Sequence, residues 1–292
     1  MFEIPFVRRQ IIQKGWSGDR KYCAADAAGK RYLLRISPAA QYESKRIEFE
    51  QMQKVEALGI NMCRPLAFGV CPEGVYSIQS WIDGSDAESV LPHAAADAQY
   101  AYGLNAGSML RTMHQLPAPD TTPAWPVRFN RKADAKILKY RQCALAYENG
   151  QAFIDYIQQN RSLLDGRPNT YQHGDYHIGN MMIGRDRQLY IIDFNRSDFG
   201  DPWEEFNRIV WCAQAAPAFA RGMVDGYFDG AVPMAFWRLL ALYISSNTLG
   251  SLPWAVSFGE KEIRVMQDQA KMVLQWYDGM KNPVPSWYTQ DL

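Results

Sequence analysis

The chain has no excess of either charge. Its 292 residues carry 31 Lys and Arg against 31 Asp and Glu, a formal net charge of zero, and no block of like charge stands out. A general nucleic-acid binder neutralises phosphates with a basic surface, so none is expected here. Long apolar runs are missing too. The longest, such as LLALYI at 239–244, fit a core helix and fall well short of the ~20 residues that cross a bilayer. The opening MFEIPFVRRQIIQKGW lacks an apolar stretch and a small-residue cleavage site of the kind that marks a secretory signal. Cysteine is sparse and odd in number, five residues at 23, 63, 71, 143 and 212 with no CxxC pair. Apolar packing in a reducing compartment suits such cysteines. A cytoplasmic chain with neither a membrane nor a nucleic-acid partner is therefore expected. Internal repeats and low-complexity segments are absent as well.

What is present is a globular composition, 47% hydrophobic and 21% charged, in a chain long enough for one large or two closely joined domains. Residues 6–14, 20–26 and 31–36 alternate between Gly-bearing turns and read as a three-strand meander. From Glu43 to Leu58, Ile47, Met52, Val55 and Leu58 recur at helical spacing, and Gly59 follows as a C-cap. Strands fit at about 66–70 and 75–80. Beyond SWIDGSD the pattern turns helical, with candidates near 94–116, 131–147, 151–165, 203–214, 233–249 and 259–280, interrupted by the apolar strand LYIIDF at 189–194. The plan is α+β: a small mixed N-terminal β-sheet lobe with one helix over residues 1–82, a hinge about 79–84, and a larger, mostly helical C-terminal lobe over 83–292. A ligand site between two such lobes is the default expectation.

The chemistry concentrates in HGDYHIGNMMIGRDRQLYIIDFNRSDFGDP, residues 173–202. Phosphoryl transfer needs metal ions to neutralise phosphate charge and a carboxylate to take the proton of the attacking hydroxyl. Kinase catalytic loops supply these as H-x-D with Asn five residues after the Asp. Here His173-Gly174-Asp175 is followed by Asn180, and a strand then carries Asp193-Phe194 at its end. Asp175 would face the acceptor while Asn180 and Asp193 converge on Mg2+. The literal Asp-Phe-Gly at 198–200 follows the strand by several residues and reads as a decoy. Asp198 would belong to the loop entering a helix at Trp203, with Asp201 as N-cap and Pro202 at its first position.

With these motifs in view, the sequence resembles the aminoglycoside phosphotransferase and choline kinase-like family, small-molecule kinases with a protein-kinase-like fold. The likeness rests on HGDYHIGN at 173–180, IIDF at 191–194, GDPWEEF at 200–206 and the order of elements along nearly the whole chain. It implies Asp175 as catalytic base, His173 as brace of its loop, and Asn180 and Asp193 as holders of Mg2+ beneath ATP or GTP. Gly15 and Gly18 in GWSGDRKY lie where the family's nucleotide loop belongs. The third strand, RYLLRI, offers Arg35 where a lysine is usual. Glu48 is preferred over Glu50 as its acidic partner, since Met52 and Val55 follow at plus four and plus seven. Gln79 to Trp81 would meet the purine edge.

For the phosphate acceptor, the resemblance implies a hydroxyl on a small molecule, an aminoglycoside-type antibiotic or another cationic or polyhydroxylated compound, with antibiotic resistance as one consequence. An amine-rich acceptor needs carboxylates, for which Asp198, Asp201, Glu204, Glu205, Asp278, Asp291 and the terminal carboxylate of Leu292 are candidates. Two readings compete. A metal-dependent hydrolase would use His173, Asp175 and His177 as ligands on one side of an extended segment, and a nucleotide-binding pseudokinase is suggested by Arg35.

Overall fold

The computed structural model describes residues 2–13 and 18–289. In chain order it contains β1 (Arg8–Ile12), β2 (Arg20–Ala25), β3 (Arg31–Ser37), α1 (Tyr42–Glu56), β4 (Pro65–Cys71), β5 (Gly74–Ser80), β6 (Gly84–Asp86) and the one-turn α2 (Ala87–Val90). There follow α3 (Ala96–Met113), α4 (Trp125–Gln142), α5 (Gln151–Asn160), β7 (Thr170–Gln172), β8 (Met181–Gly184), β9 (Leu189–Ile191) and β10 (Asp198–Gly200). The chain finishes through α6 (Ile209–Ala215), α7 (Pro217–Phe228), α8 (Met234–Val256), α9 (Glu260–Trp276) and α10 (Ser286–Thr289). Two compact units result, one from residues 1–90 with 179–197, the other from 91–178 with 198–292. The α+β class expected from the sequence is the one present, and no helix among the described residues is long and apolar enough to cross a membrane.

In the first unit, five strands form an antiparallel sheet in the order β1-β2-β3-β5-β4. The two-residue period of β3 decides what each face carries. Tyr32, Leu34 and Ile36 join Ala24, Ala67, Tyr76 and Ile78 in an apolar cluster, which puts Leu33, Arg35 and Ser37 on the opposite face. Helix α1 packs on β4 and β5 and buries Phe49, Met52 and Val55, three residues apart on one stripe. It ends as its sequence suggests: Gly59 takes φ +76°, and its N–H donates to the Glu56 carbonyl at 2.9 Å. A second sheet, β6-β8-β9, is stitched to the segment before β4. Ile191 N–H donates to Asn61 O at 3.0 Å, and Cys63 N–H donates to Ile191 O at 3.1 Å. These bonds tie the strand leading to Asp193 into the same unit as Arg35.

The second unit is built on helices. Helix α8 is buried on nearly every side, as expected of a helix that is apolar all round, and α4, α5 and α9 pack against it. It runs on through Pro253 to Val256, beyond the expected end at 249. Helix α7 was not foreseen in the sequence. It lies so close to α3 that a Cβ added at Gly103 or Gly107 would sit 2.2 Å from Phe219 O or 2.1 Å from Met223 O. Reciprocally, one at Gly222 or Gly226 would sit 2.3 Å from Tyr100 O or 2.2 Å from Leu104 O. Glycines that lower the intrinsic helix propensity of GMVDG are thus what lets the two backbones meet. The expected helix over 203–214 is also different: it starts as a 3-10 segment, Glu204–Arg208, before α6.

Candidate active site

In the first unit, Asp193 adopts φ +66°, a left-handed conformation uncommon for any residue other than glycine and one that marks functional turns. Just before it, Ile192 N–H donates to the carbonyl of Asn180 at 3.0 Å. That bond holds the two proposed metal ligands on adjoining backbone. Arg35, 3% exposed, donates from Nη1 to Asp193 Oδ1 at 2.7 Å. Its other edge turns to Asp19, with Nε 3.1 Å and Nη2 2.9 Å from Oδ2. Burial opposes the charge on Arg35, but Asp193, Asp19 and Glu48 together hold its pKa above the ordinary arginine value. Burial likewise opposes the charge on Asp19, yet the Ser37 hydroxyl, Arg35 and Lys45 bring its pKa below the usual carboxylate range.

The acidic partner expected on α1 is placed differently. Glu48 Oε2 accepts from Lys45 Nζ at 2.9 Å, and Lys45 also reaches Asp19 Oδ2 at 3.2 Å. Glu50 pairs with Arg46 instead. Glu48 therefore joins the Arg35 cluster through Lys45, and burial raises its pKa in spite of that lysine. Gln79 is buried on β5, donating from Nε2 to Met52 Sδ at 3.6 Å, and its Oε1 has no partner among the described residues. The Trp81 ring lies 5.6 Å from the Arg31 guanidinium. Gly18 has open space where a Cβ would sit, so local sterics do not demand glycine there. Gly15 falls outside the described residues, as do Asp291 and Leu292.

In the second unit, the HGDYHIGN loop leaves β7, and β7 pairs antiparallel with β10, so that Asp198 lies opposite Gln172. The literal Asp-Phe-Gly is thus a strand where a loop was expected. The Asp198 carboxylate meets Arg128 at 2.8 Å on a largely exposed surface. Asp201 takes no solvent at all. It accepts from Arg167 Nε at 2.6 Å and Nη2 at 2.7 Å, from the Tyr243 hydroxyl at 2.5 Å, and from Trp203 N–H at 2.9 Å. The last bond resembles a cap, but the carboxylate mainly pairs with Arg167, whose side chain is 17% exposed.

His173 is fully buried, edge-on to the Tyr176 ring at 5.7 Å, and its Nδ1 accepts the Asp175 N–H at 3.3 Å. Gly174 turns the chain at φ +82° and donates its N–H to Glu205 Oε1 at 3.0 Å. Tyr176 donates its hydroxyl to Ala106 O at 2.7 Å, and Ile178 N–H points to Cys212 Sγ at 3.3 Å. The Gly174, Asp175 and Ile178 N–H groups thus have acceptors, and the Asp175 carboxylate lies beside Arg208, whose Nε is 3.3 Å from Oδ1, and His177 at 3.7 Å.

Neighbouring Glu204 and Glu205 are driven in opposite directions. Burial, with Glu204 nearby, lifts Glu205 to about 8 despite the backbone amides it accepts. Burial acts on Glu204 as well, but Lys132 and Lys136 hold its pKa below the ordinary value. Sequence reasoning missed Asp19, Lys45, Arg208 and the loop-holding role of Glu205. Only the Glu205 position within GDPWEEF carried a signal.

Among the described residues, no group of three or more His, Cys, Asp or Glu side chains is placed to hold a metal. His173, Asp175 and His177 thus do not make the ligand triad that the hydrolase reading requires. A magnesium site is not touched by that finding, because this ion takes one or two protein oxygens and completes its shell with water and phosphate. Asn180 and Asp193, both oxygen donors on adjoining backbone, fit it.

The phosphotransferase enzyme family profile matches residues 8–237, and the chain belongs to that family. Among solved structures it is similar to a thermostable mutant of aminoglycoside phosphotransferase APH(4)-Ia in a ternary complex with ADP and hygromycin B, with 15% identity, TM-score 0.65 and coverage of 92% of this chain and 94% of that one. Amicoumacin kinase hAmiN in complex with AMP-PNP, Ca2+ and Ami gives 14% identity, TM-score 0.66 and coverage of 94% and 90%. The GDP complex of aminoglycoside 2'-phosphotransferase-IIIa gives 14%, 0.66, and 93% of each chain. Similarity at this level establishes the shared fold. No curated protein matches the sequence.

Proposed function

We propose that this protein is a small-molecule kinase that moves the γ-phosphoryl group of ATP or GTP to a hydroxyl of a cationic or polyhydroxylated acceptor. The observation that carries the proposal is the loop at 173–178: Glu205 and His173 accept the Gly174 and Asp175 N–H groups, and the Asp175 carboxylate stands beside Arg208. In this reading Asp175 accepts the proton of the acceptor hydroxyl as its oxygen bonds to phosphorus, the bond to the β-phosphate oxygen breaks, and the nucleoside diphosphate departs. Arg208 and His177 hold the carboxylate in position. Mg2+ on Asn180 and Asp193 would neutralise the phosphate charge, and Arg35 would direct its Nη1 edge at the same phosphates. Gln79 and Trp81 would border the purine. Solved relatives of this fold hold ADP or AMP-PNP in two cases and GDP in a third, in keeping with either donor.

The acceptor side is narrowed by what the second unit already uses. Asp201 accepts from Arg167, Glu204 pairs with Lys132 and Glu205 holds the catalytic loop, so an amine-bearing acceptor would have to draw on other acids, such as Asp198 and Asp278. Turnover of ATP and GTP with Mg2+ against an aminoglycoside, a macrolide, choline, homoserine and a sugar tests the reading. Activity should appear with at least one of them, and Asp175→Asn should lower it on the order of 10²- to 10⁴-fold while nucleotide binding persists. An unchanged rate in that variant would remove Asp175 from the role of base. Binding of nucleotide without transfer to any acceptor would favour the pseudokinase.

A further inference from the structure

We infer that Asp19, which no motif singles out, is the positioning residue for the phosphate-binding cation, taking the place of a carboxylate on α1. The inference deepens the kinase reading and rests on it. Asp19 lies just before β2, and its side chain is 5% exposed. Its two oxygens accept from four donors: Ser37 Oγ at 2.7 Å on Oδ1, and Arg35 Nε at 3.1 Å, Arg35 Nη2 at 2.9 Å and Lys45 Nζ at 3.2 Å on Oδ2. Arg35 and Ser37 stand on the same face of β3, so one carboxylate can reach both.

The geometry accounts for an arginine at this position. A lysine ammonium is a point charge that one acid can hold, whereas a guanidinium is a planar fork whose direction must also be set. Asp19 takes one edge of that fork through Nε and Nη2, which leaves Nη1 aimed at Asp193 Oδ1, 2.7 Å away. When a triphosphate arrives, Nη1 can move to a phosphate oxygen while Nε and Nη2 stay on Asp19. Glu48, relieved of the strand cation, holds Lys45 at 2.9 Å and so keeps a second positive charge beside Asp19.

Calorimetric binding of the imido analogues of ATP and GTP, of ADP and GDP, and of adenosine and guanosine, all with Mg2+, tests this in the wild type, Asp19→Asn, Ser37→Ala, Arg35→Ala and the Asp19→Asn/Arg35→Ala double variant. Asp19→Asn should weaken triphosphate and diphosphate binding about tenfold and change nucleoside binding by less than about twofold. It should add nothing once Arg35 is gone, because coupled residues are non-additive. Ser37→Ala should shift phosphate-dependent binding the same way by about two- to threefold, which keeps the test open if Asp19→Asn folds poorly by thermal melting. Equal losses for nucleoside and triphosphate, or a full Asp19→Asn loss persisting without Arg35, would show a merely structural carboxylate. If the wild type binds triphosphate and Asp19→Asn and Ser37→Ala bind it equally well, the role of Asp19 falls while the kinase reading stands. A wild type with no affinity for any nucleotide would overturn the kinase reading itself, and this inference with it.

Discussion

Arg35 and Arg167 are the same side chain in two different settings. Each gives Nε and Nη2 to an aspartate, Arg35 to one oxygen of Asp19 and Arg167 to both oxygens of Asp201. Around Arg167 it is the anion that is closed off, since the Asp201 side chain is 0% exposed. Trp203 covers its plane at 3.7 Å, and Tyr243, itself receiving Trp125 Nε1–H at 3.0 Å, donates to Asp201. Around Arg35 the network stays open at one edge, where Nη1 meets an Asp193 side chain that is 31% exposed. A closed pair can only hold a fold together, whereas an open edge can exchange one anion for another. The difference separates scaffold from site more sharply than burial does, since both arginines are mostly withdrawn from water.

Breaking the closed network should cost the most. Asp201→Ala leaves the Arg167 charge, on a side chain 17% exposed, without its carboxylate, for an expected loss approaching the ~3–5 kcal/mol of a broken buried pair, read by urea unfolding. Asp193→Ala, with its partner already anchored on Asp19, should lose far less stability. The reverse order would undo the contrast between scaffold and site.

Glu205 adds a third case, a buried acid that takes backbone amides. Its carboxyl titrates at about 8 in the folded state against an ordinary 4.5, so between those values the folded chain keeps a proton that the unfolded chain has lost. Linkage then requires the contribution of this group to stability to fall as pH rises through that window, by on the order of 1 kcal/mol per pH unit. Unfolding of wild type and Glu205→Gln from pH 5 to pH 8 should show that slope in the first and a flatter profile in the second. Identical slopes would mean that Glu205 is ionised throughout.

At the open edge, Arg35→Ala should weaken triphosphate binding about 10- to 100-fold, a loss of ~1.4–2.8 kcal/mol, with nucleoside binding little changed. Arg35→Lys should recover only part, because an ammonium cannot take both the Asp19 edge and a phosphate with one planar group. Matching losses for nucleoside and triphosphate would make Arg35 a scaffold residue like Arg167. The smallest effect belongs to Asp198→Ala. Its pair with Arg128 is exposed, so no more than ~1 kcal/mol of stability is expected to go, well below the cost at Asp201. A larger loss would mean that this strand acid belongs with the closed network.

The meander, the helix ending at Gly59 and the ordering of elements were legible because each depends on local periodicity and turn chemistry. The preference for Asp193 over Asp198 as metal ligand came from the same local reading, a carboxylate beside an apolar strand against one beyond it, and belongs to the proposed function. Helix α7 was not legible: its glycines and Pro217 argue against a helix locally, and only contact with Gly103 and Gly107 on α3 makes them favourable. Glu48 was read as the partner of Arg35 from its place on a helix, but the position of a charge along an element does not say which cation lies opposite. Asp19 and Arg208 are separated in sequence by 16 and 33 residues from the groups they orient, Arg35 and Asp175, and nothing in the intervening residues records the pairing.

The sequence by itself determined which residue types are available for phosphoryl transfer and in what order, because the spacing of His173, Asp175, Asn180 and Asp193 is a covalent fact. It also determined the alternation that turns Arg35 away from the apolar cluster of the sheet. Tertiary structure alone decided which donors each carboxylate meets. Asp19, Asp193, Asp201, Glu204 and Glu205 are all acids in the sequence, and what distinguishes them is the donor that folding brings within hydrogen-bonding distance of each and the water it takes away.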